Sequence, residues 1–436
     1  MQKLFSRFHL TSVKALQLFQ IFRQVSVILI NILLTKTMLS QVDIGIYEYL
    51  IYIGSALSFF WLNGLLHGML PVFPAYDPTA KRRFLFNSYL LFLSLTILLC
   101  TGLFFGKDFI VPFFTGKSTL PFYYPFLLYL LLNLPTYVVE YFYLLNDRSR
   151  SLVGWGAIAF GAQLLAVLLP AFLGAGLEGS FYALIVVALL KHLWTWYLLA
   201  QMATFKLDWP QLNAYLLIAL PLVLYALVSG FAQVFDNWLV GWYYQSEASF
   251  AIFRYGAREL PLTTALTSGL GAAMIPILAK DFSAGLPALR EKALRLYHLL
   301  FPISIVLILV SEKLFPLVFN EDFTASAAVF NVYVLIMSSR LLFPQTVLVA
   351  LKETKAILFI SVLEILLNIL LSIYLVQSFG MVGIAMATVF AFLFEKITIA
   401  IYLWQKFDIA IERYTPLKWF LFYCAGLFTA YLWVSY

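Results

Sequence analysis

Three stretches of this chain, Phe84–Phe105, Leu120–Val139 and Leu152–Leu177, run for twenty or more positions without one charged residue. A helix that crosses the ~30 Å hydrocarbon core of a bilayer needs about 20 mostly apolar residues. Inside lipid every backbone N–H and C=O must find its partner within the protein, so only helices and closed barrels span. Barrel strands alternate apolar and polar positions, and these runs do not. Adding runs with one or two embedded charges predicts twelve helical spans, with cores at 13–34, 44–66, 84–105, 120–144, 152–173, 181–203, 214–243, 250–278, 299–319, 329–350, 356–376 and 384–404. A shorter run, Phe420–Tyr436, is a thirteenth candidate. The expected fold class is an all-α polytopic membrane protein. Composition agrees: 11 % of the 436 residues are charged and 63 % are apolar, whereas a soluble domain carries about 25 % charged. That excludes a soluble enzyme, a nucleic-acid binder and a disordered scaffold. The N-terminus is basic and then apolar, like a signal peptide, but no small-residue cleavage pattern follows. It reads as a cytoplasmic tail and first span.

Orientation comes from the basic residues. One set of loops holds 18 Lys and Arg: Lys3, Arg7 and Lys14; Lys81 to Arg83; Arg148 and Arg150; Lys206; Lys280, Arg290, Lys292 and Arg295; Lys352 and Lys355; Lys406, Arg413 and Lys418. The other side holds Lys36, Lys107, Lys117 and Lys313. Positive-inside asymmetry of this size places the N-terminus in the cytoplasm. The net charge of +7 is therefore first a statement about topology. Segment 280–298, basic and amphipathic, is expected to lie on the inner leaflet between lobes.

The sequence also repeats at a spacing of about 205 residues. QVDIGIYEY (41–49) lies against EASFAIFRY (247–255), and HGMLPVF (67–73) against AAMIPIL (272–278). LNDRS (145–149) falls opposite LKETK (351–355), and GLEG (176–179) opposite GMVG (380–383). Six spans separate the copies, so both have the same orientation, as in transporters built from parallel repeats. The expected organisation is an N-lobe at 1–203, a cytoplasmic connection at 204–213, a C-lobe at 214–404 and an extension at 405–436. In such proteins the substrate sits between the lobes near the midplane.

Particular motifs resemble a known family. LSQVDIGIYEYL (39–50) resembles the opening of polysaccharide-export flippases, and ALPLVLYALVSGFAQVFDNWLVGWYY (219–244) with FAIFRYGAREL (250–260) resembles the start of their second lobe. NILLSIYLVQSFGMVGIAMATV (368–389) is similar to their Asn, aromatic-Gly, Gly-x-Ala, Thr junction. The family belongs to the multidrug/oligosaccharidyl-lipid/polysaccharide exporter superfamily, whose flippases often carry two helices beyond the twelve. This chain has room for one. The resemblance implies a bacterial inner-membrane carrier that turns undecaprenyl-diphosphate-linked oligosaccharide, an O-antigen or capsule repeat unit, across the bilayer by alternating access. The glycan and diphosphate would pass a hydrated cleft while the lipid tail stays in the membrane. Polysaccharide polymerase and glycosyltransferases are the protein partners it implies. A multidrug or organic-cation antiporter, and a lipid II flippase, are the competing readings.

Such transport needs no catalytic group, and no P-loop, HExxH or nucleophile elbow occurs. The two cysteines, Cys100 and Cys424, form no ligand spacing, so neither a metal nor a cofactor is expected. Ionisable residues inside spans are then the functional candidates. Arg254 and Arg258, four apart in span 8, would stack on one helix face and grip a diphosphate with forked donors. Alternatively Arg254 pairs with an acid such as Asp236 and locks helices together. Gln233, Asp236 and Asn237 share a face of span 7, and Arg23 joins Gln24 and Asn31 in span 1. Glu48 occupies the repeat position of Arg254, which suggests a charge pair that gates or couples an ion, and Glu259 is a second such candidate. Arg340 in span 10 has Glu364 in span 11 as its expected partner. Lys191–His192 and Glu395–Lys396 sit at equivalent repeat positions and are expected to snorkel, and Glu140 to bridge at the cytoplasmic edge.

Overall fold

The computed structural model describes residues 11–435; the basic tail with Lys3 and Arg7, and Tyr436, lie outside the described residues. Helices follow one another as α1 (Ser12–Leu34), α2 (Gln41–Val72), α3 (Pro78–Phe105), α4 (Tyr123–Leu145), α5 (Ser149–Phe172), α6 (Gly176–Met202) and α7 (Trp209–Tyr244). Then come α8 in two pieces, Glu247–Gly256 and Pro261–Lys280, α9 (Phe282–Val318), and α10, again in two pieces. Among the described residues eleven helices are long and apolar enough to span, and the pieces of α10, Ser326–Arg340 and Pro344–Ala350, make a twelfth across a 40° bend. Helix Thr354–Phe407 runs 54 residues, about 80 Å at 1.5 Å per residue, too long for one crossing. It divides at Gly380 into α11 (354–379) and α12 (381–407), and α13 is Leu417–Ser435. The chain is thus a polytopic all-α membrane protein, with eleven or twelve candidate spans among the described residues and one more where Thr354–Phe407 is counted as two.

The family-like motifs have local physical jobs. In LSQVDIG, Ser40 and Asp43 form a reciprocal capping box that starts α2, worth about 0.5–2 kcal/mol. In SFGMVG, Gly380 takes φ 58° and ψ −138°, a region that costs a side chain about 1–3 kcal/mol. A Cβ on Gly383 would stand 2.2 Å from the Leu375 carbonyl oxygen, so the hairpin of α11 and α12 needs both glycines. The turns paired by the repeat also match in detail. Asp147 and Lys352 both adopt positive φ, and each turn closes with Arg148 N–H on Tyr143 O or Glu353 N–H on Leu348 O. Acidic caps start three further helices: Asp77 for α3, Asp208 for α7 and Asp281 for α9. The N–H groups of Ala80 and Thr79 hold Asp77 below its usual carboxylate pKa, and the Ala284 N–H with the Ser283 hydroxyl does the same for Asp281.

Contacts divide the chain into one unit of Met1–Phe231 with Gly241–Ala251 and another of Ala232–Val240 with Ile252–Tyr436. The division falls inside α7 and α8. The reason is local: Gly64 and Gly68 on α2 admit the α7 backbone at Val223 and Ala219, and Tyr215 donates to Leu65 O at 2.6 Å. In this first unit α1 also lies along α5, with Ser26 donating to Phe160 O. In the second unit α9 and α13 are joined by rings, Phe301 stacked on Tyr423 at 5.3 Å.

Two expected elements differ. Segment 280–298 is not a separate surface strip, because the Asp281 cap starts a helix that continues without interruption into the ninth span. Span 8 is not continuous, because Pro261 opens its second half and restricts Leu260 to extended backbone.

Candidate functional site

The break in α8 changes the arginine pair. Arg254 sits in the last turn of the first half and Arg258 in the non-helical 257–260 link, so they are not two forks stacked on one face. Instead Arg258 Nε donates to the Arg254 carbonyl at 2.9 Å, capping the broken end, and its guanidinium lies 5.4 Å from the Tyr255 ring. The neighbouring Glu259 receives Arg340, which reaches in from the α10 break. Arg340 Nε and Nη2 donate to the two carboxylate oxygens at 2.9 and 2.5 Å. Glu259, and not Glu364, is thus the partner of Arg340. Two helix breaks are tied by one forked ion pair, with the Arg340 guanidinium also over the Phe392 ring at 4.8 Å.

Asp236 lies deeper in the second unit and is 1 % exposed. Its Oδ2 accepts Thr388 Oγ1 of α12 at 2.6 Å and Tyr333 Oη of α10 at 3.3 Å. Asn368 of α11 donates to Thr388 Oγ1 at 3.2 Å. The remaining Oδ1 of Asp236, Oδ1 of Asn368 and Oγ of Ser372 are buried without a hydrogen-bond partner. One carboxylate among neutral oxygens is chemistry for a hard monovalent cation. No group of three His, Cys, Asp or Glu occurs among the described residues, which is what a divalent or transition metal would want. Of the expected span-7 trio, Asn237 is buried and donates to Gln233 O at 2.7 Å, but the Gln233 side chain is exposed and does not join the set.

The first unit carries its own buried charge. Glu140 of α4 is buried 4.0 Å from Arg23 Nη1 of α1, so its partner comes from another helix and not from the loop edge. Arg23 also donates to Gln20. Asn31 is buried while Gln24 is exposed, so the expected α1 trio does not act as one. Glu48 on α2 is 2 % exposed. Lys191 and His192 turn inward and do not snorkel: Lys191 donates to Asn133 Oδ1 at 2.5 Å, and His192 contacts Leu132 O and Tyr89 Oη. Lys396 does likewise, to Gln345 Oε1 and Glu395 Oε2, both at 2.8 Å. In each case the ammonium reaches a side-chain amide beside a helix interruption: Asn133 before the 3-10 turn Leu134–Tyr137 within α4, and Gln345 at the start of the second piece of α10.

Sequence reasoning missed Thr388, Tyr333, Asn368 and Ser372, since neutral side chains raise no alarm in an apolar run. A reading of polar residues at fourfold spacing along span 11 would have found Asn368 and Ser372.

A sequence profile described as polysaccharide biosynthesis protein matches residues 89–328. No curated protein sequence matches the chain. Among solved structures the chain is similar to the lipid II flippase MurJ in an inward closed conformation, with TM-score 0.70 and 16 % identity, covering 96 % of this chain and 98 % of that one. It is similar to an inward-facing multidrug resistance MATE family transporter of the MOP superfamily, with TM-score 0.63, 14 % identity, and 91 % and 98 % covered. A MOP superfamily transporter from Pyrococcus furiosus gives TM-score 0.56, 13 % identity, and 91 % and 94 % covered. At these identities the likeness is one of fold.

Proposed function

Because the chain belongs to the polysaccharide biosynthesis protein family, which its sequence matches over more than half its length, we propose that it is a flippase for undecaprenyl-diphosphate-linked oligosaccharide. It works in the bacterial inner membrane by alternating access of two six-helix lobes, 1–203 and 214–404, with the N-terminus in the cytoplasm. The observation that carries the proposal is the Asp236 set: a carboxylate and unpartnered oxygens within apolar spans, where intramembrane charge is expensive and marks ion and substrate pathways. A cation held there couples to movement of the anionic lipid. Arg23, Arg254 and Arg258 supply the positive charge that the diphosphate requires on leaving water, and Glu48 and Glu259 are the carboxylates that exchange partners through the cycle. Arg23, Arg254 and Arg258 against Glu48, Asp236 and Glu259 make a balance that tolerates an anionic substrate, where an organic-cation carrier would want carboxylates to dominate. Polysaccharide polymerase and glycosyltransferases are the partners this function brings with it.

A strain lacking the gene is expected to accumulate lipid-linked oligosaccharide on the cytoplasmic leaflet and to lose surface glycan. Arg254→Ala and Arg258→Ala should fail to restore export although both proteins insert at normal level, with Arg→Lys restoring part. Drug hypersensitivity without lipid accumulation would instead indicate the multidrug antiporter. Arrest of peptidoglycan precursor would indicate a lipid II flippase.

A further inference from the structure

α4 and α10 are interrupted at matching places in the repeat. α4 passes through a 3-10 turn at Leu134–Tyr137, and α10 leaves the helix at 341–343 before Pro344. Positions 135–137 and 341–343 are separated by the same interval as the paired turns at 145–149 and 351–355. Pro135 and Pro344 each lack an N–H and so remove a rung of the helical ladder. At the first break α6 brings new donors. His192 Nδ1 donates to Leu132 O at 3.0 Å, and Lys191 Nζ to Asn133 Oδ1 at 2.5 Å. At the second, Lys396 of α12 donates to Gln345 Oε1 and to Glu395 Oε2, both at 2.8 Å.

Lys191 and Lys396 are equivalent in the repeat, but the residues before them differ: Glu395 precedes Lys396, and Leu190 precedes Lys191. Lys396 is therefore held by an ion pair whose side chains are 10 and 12 % exposed. Lys191 is held on a neutral amide that is 4 % exposed. An ammonium inside a span is expensive, and a proline alone suffices for a fixed bend. A charged donor on a neutral oxygen opens more readily than the same donor on a carboxylate, whose attraction grows in low dielectric.

We propose that the 134–137 break of α4 is a working hinge with Lys191 as its releasable pin, and that the matching break of α10 is its fixed counterpart. Short 3-10 stretches inside helices often mark hinges. Lys191, Asn133 and His192 are then positioning residues that set the bend of α4. Tyr89 Oη of α3 lies 3.0 Å from His192 Nε2 and ties α3 to the same joint. Beyond it, Trp194 Nε1 of α6 donates to Tyr143 Oη at 3.0 Å, so α6 holds α4 on both sides of the break. The inference goes beyond the flippase reading and does not depend on which lipid is carried.

The test converts the releasable pin into the fixed kind. Asn133→Asp, in the full chain in lipid nanodiscs, keeps the shape and sets a carboxylate opposite Lys191. Amide hydrogen exchange at 136–141, which reads local opening, is expected to slow by about 10-fold or more, with a higher melting temperature. Export of lipid-linked glycan in cells should fall by about 10-fold, because the joint no longer opens at its normal rate. Adding Lys191→Gln to Asn133→Asp returns the contact to one charged and one neutral partner and should recover both exchange and export. Exchange that does not slow in a folded Asn133→Asp protein overturns the proposal. So does normal export once exchange has slowed, or a double variant that recovers neither. Should Asn133→Asp fail to fold, Lys191→Met decides: faster exchange at 136–141 supports the pin, and unchanged exchange overturns it. Exchange is read without substrate, so the expected pattern in a protein that moves no glycan would sustain the hinge and sink the flippase reading alone.

Discussion

Asp236→Asn is expected to leave the protein folded and to stop coupled transport. Asparagine keeps the shape and one acceptor oxygen, so Thr388, 2.6 Å away, and Tyr333, 3.3 Å away, retain a partner. What disappears is the single negative charge around which the neutral oxygens of Asn368 and Ser372 are arranged. Removing that charge should weaken cation affinity by about 100-fold or more, since attraction to a carboxylate grows steeply in low dielectric. Asp236→Leu separates this effect from structure. It strands the Tyr333 hydroxyl at about 1–3 kcal/mol, while Thr388 falls back on the Ile384 carbonyl 3.3 Å away, and should lower thermal stability as well. Normal gradient-driven transport by a folded Asp236→Asn protein would remove Asp236 from the mechanism.

The second large effect concerns Arg340 and Glu259. Breaking a fully buried ion pair from one side costs about 3–5 kcal/mol. Here the side chains are 34 % and 25 % exposed, and solvent screening reduces the expected cost of Arg340→Ala to about 1–3 kcal/mol. Transport should suffer more than stability, because the pair ties the break of α8 to the break of α10, where backbone outside the helical ladder can rearrange. Arg340→Lys should recover charge without the two-pronged geometry and so restore stability only in part. Arg340→Glu combined with Glu259→Arg should refold the pair. Measured melting temperatures and export in cells decide it: stability restored by the swap with export still absent places Arg340 or Glu259 in the transport cycle. Full recovery of both would make the pair a structural tie.

Much of the fold was legible because a span announces itself by length and apolarity, as Phe84–Phe105 does. Breaks were not, since an interrupted apolar run has the same hydropathy as a continuous one. Pro261 and Pro344 marked both interruptions, yet a proline inside a bundle also permits a mere bend. The charged start of α9 read as a separate strip because its residues belong to water, while a single cap at Asp281 and the close approach of Gly285 to Leu278 were enough to continue the helix. Within the candidate site Asp236 stood out as a charge in an apolar run. Its partners did not, because Thr388, Tyr333 and Asn368 come from three other helices and no sequence spacing reports which helices meet. The same blindness assigned Arg340 to Glu364 when Glu259 was the carboxylate within reach.

Movement of a diphosphate-linked glycolipid from one leaflet to the other is the activity proposed for this chain. Purified protein reconstituted into liposomes that carry undecaprenyl-diphosphate-oligosaccharide on the inner leaflet alone tests it directly, with a glycosidase added outside to read arrival. Cleavage is expected to rise with time in wild-type vesicles, to be driven by a cation gradient and to be absent with Asp236→Asn. Cleavage no faster than in protein-free vesicles, with the protein demonstrably folded, would contradict it.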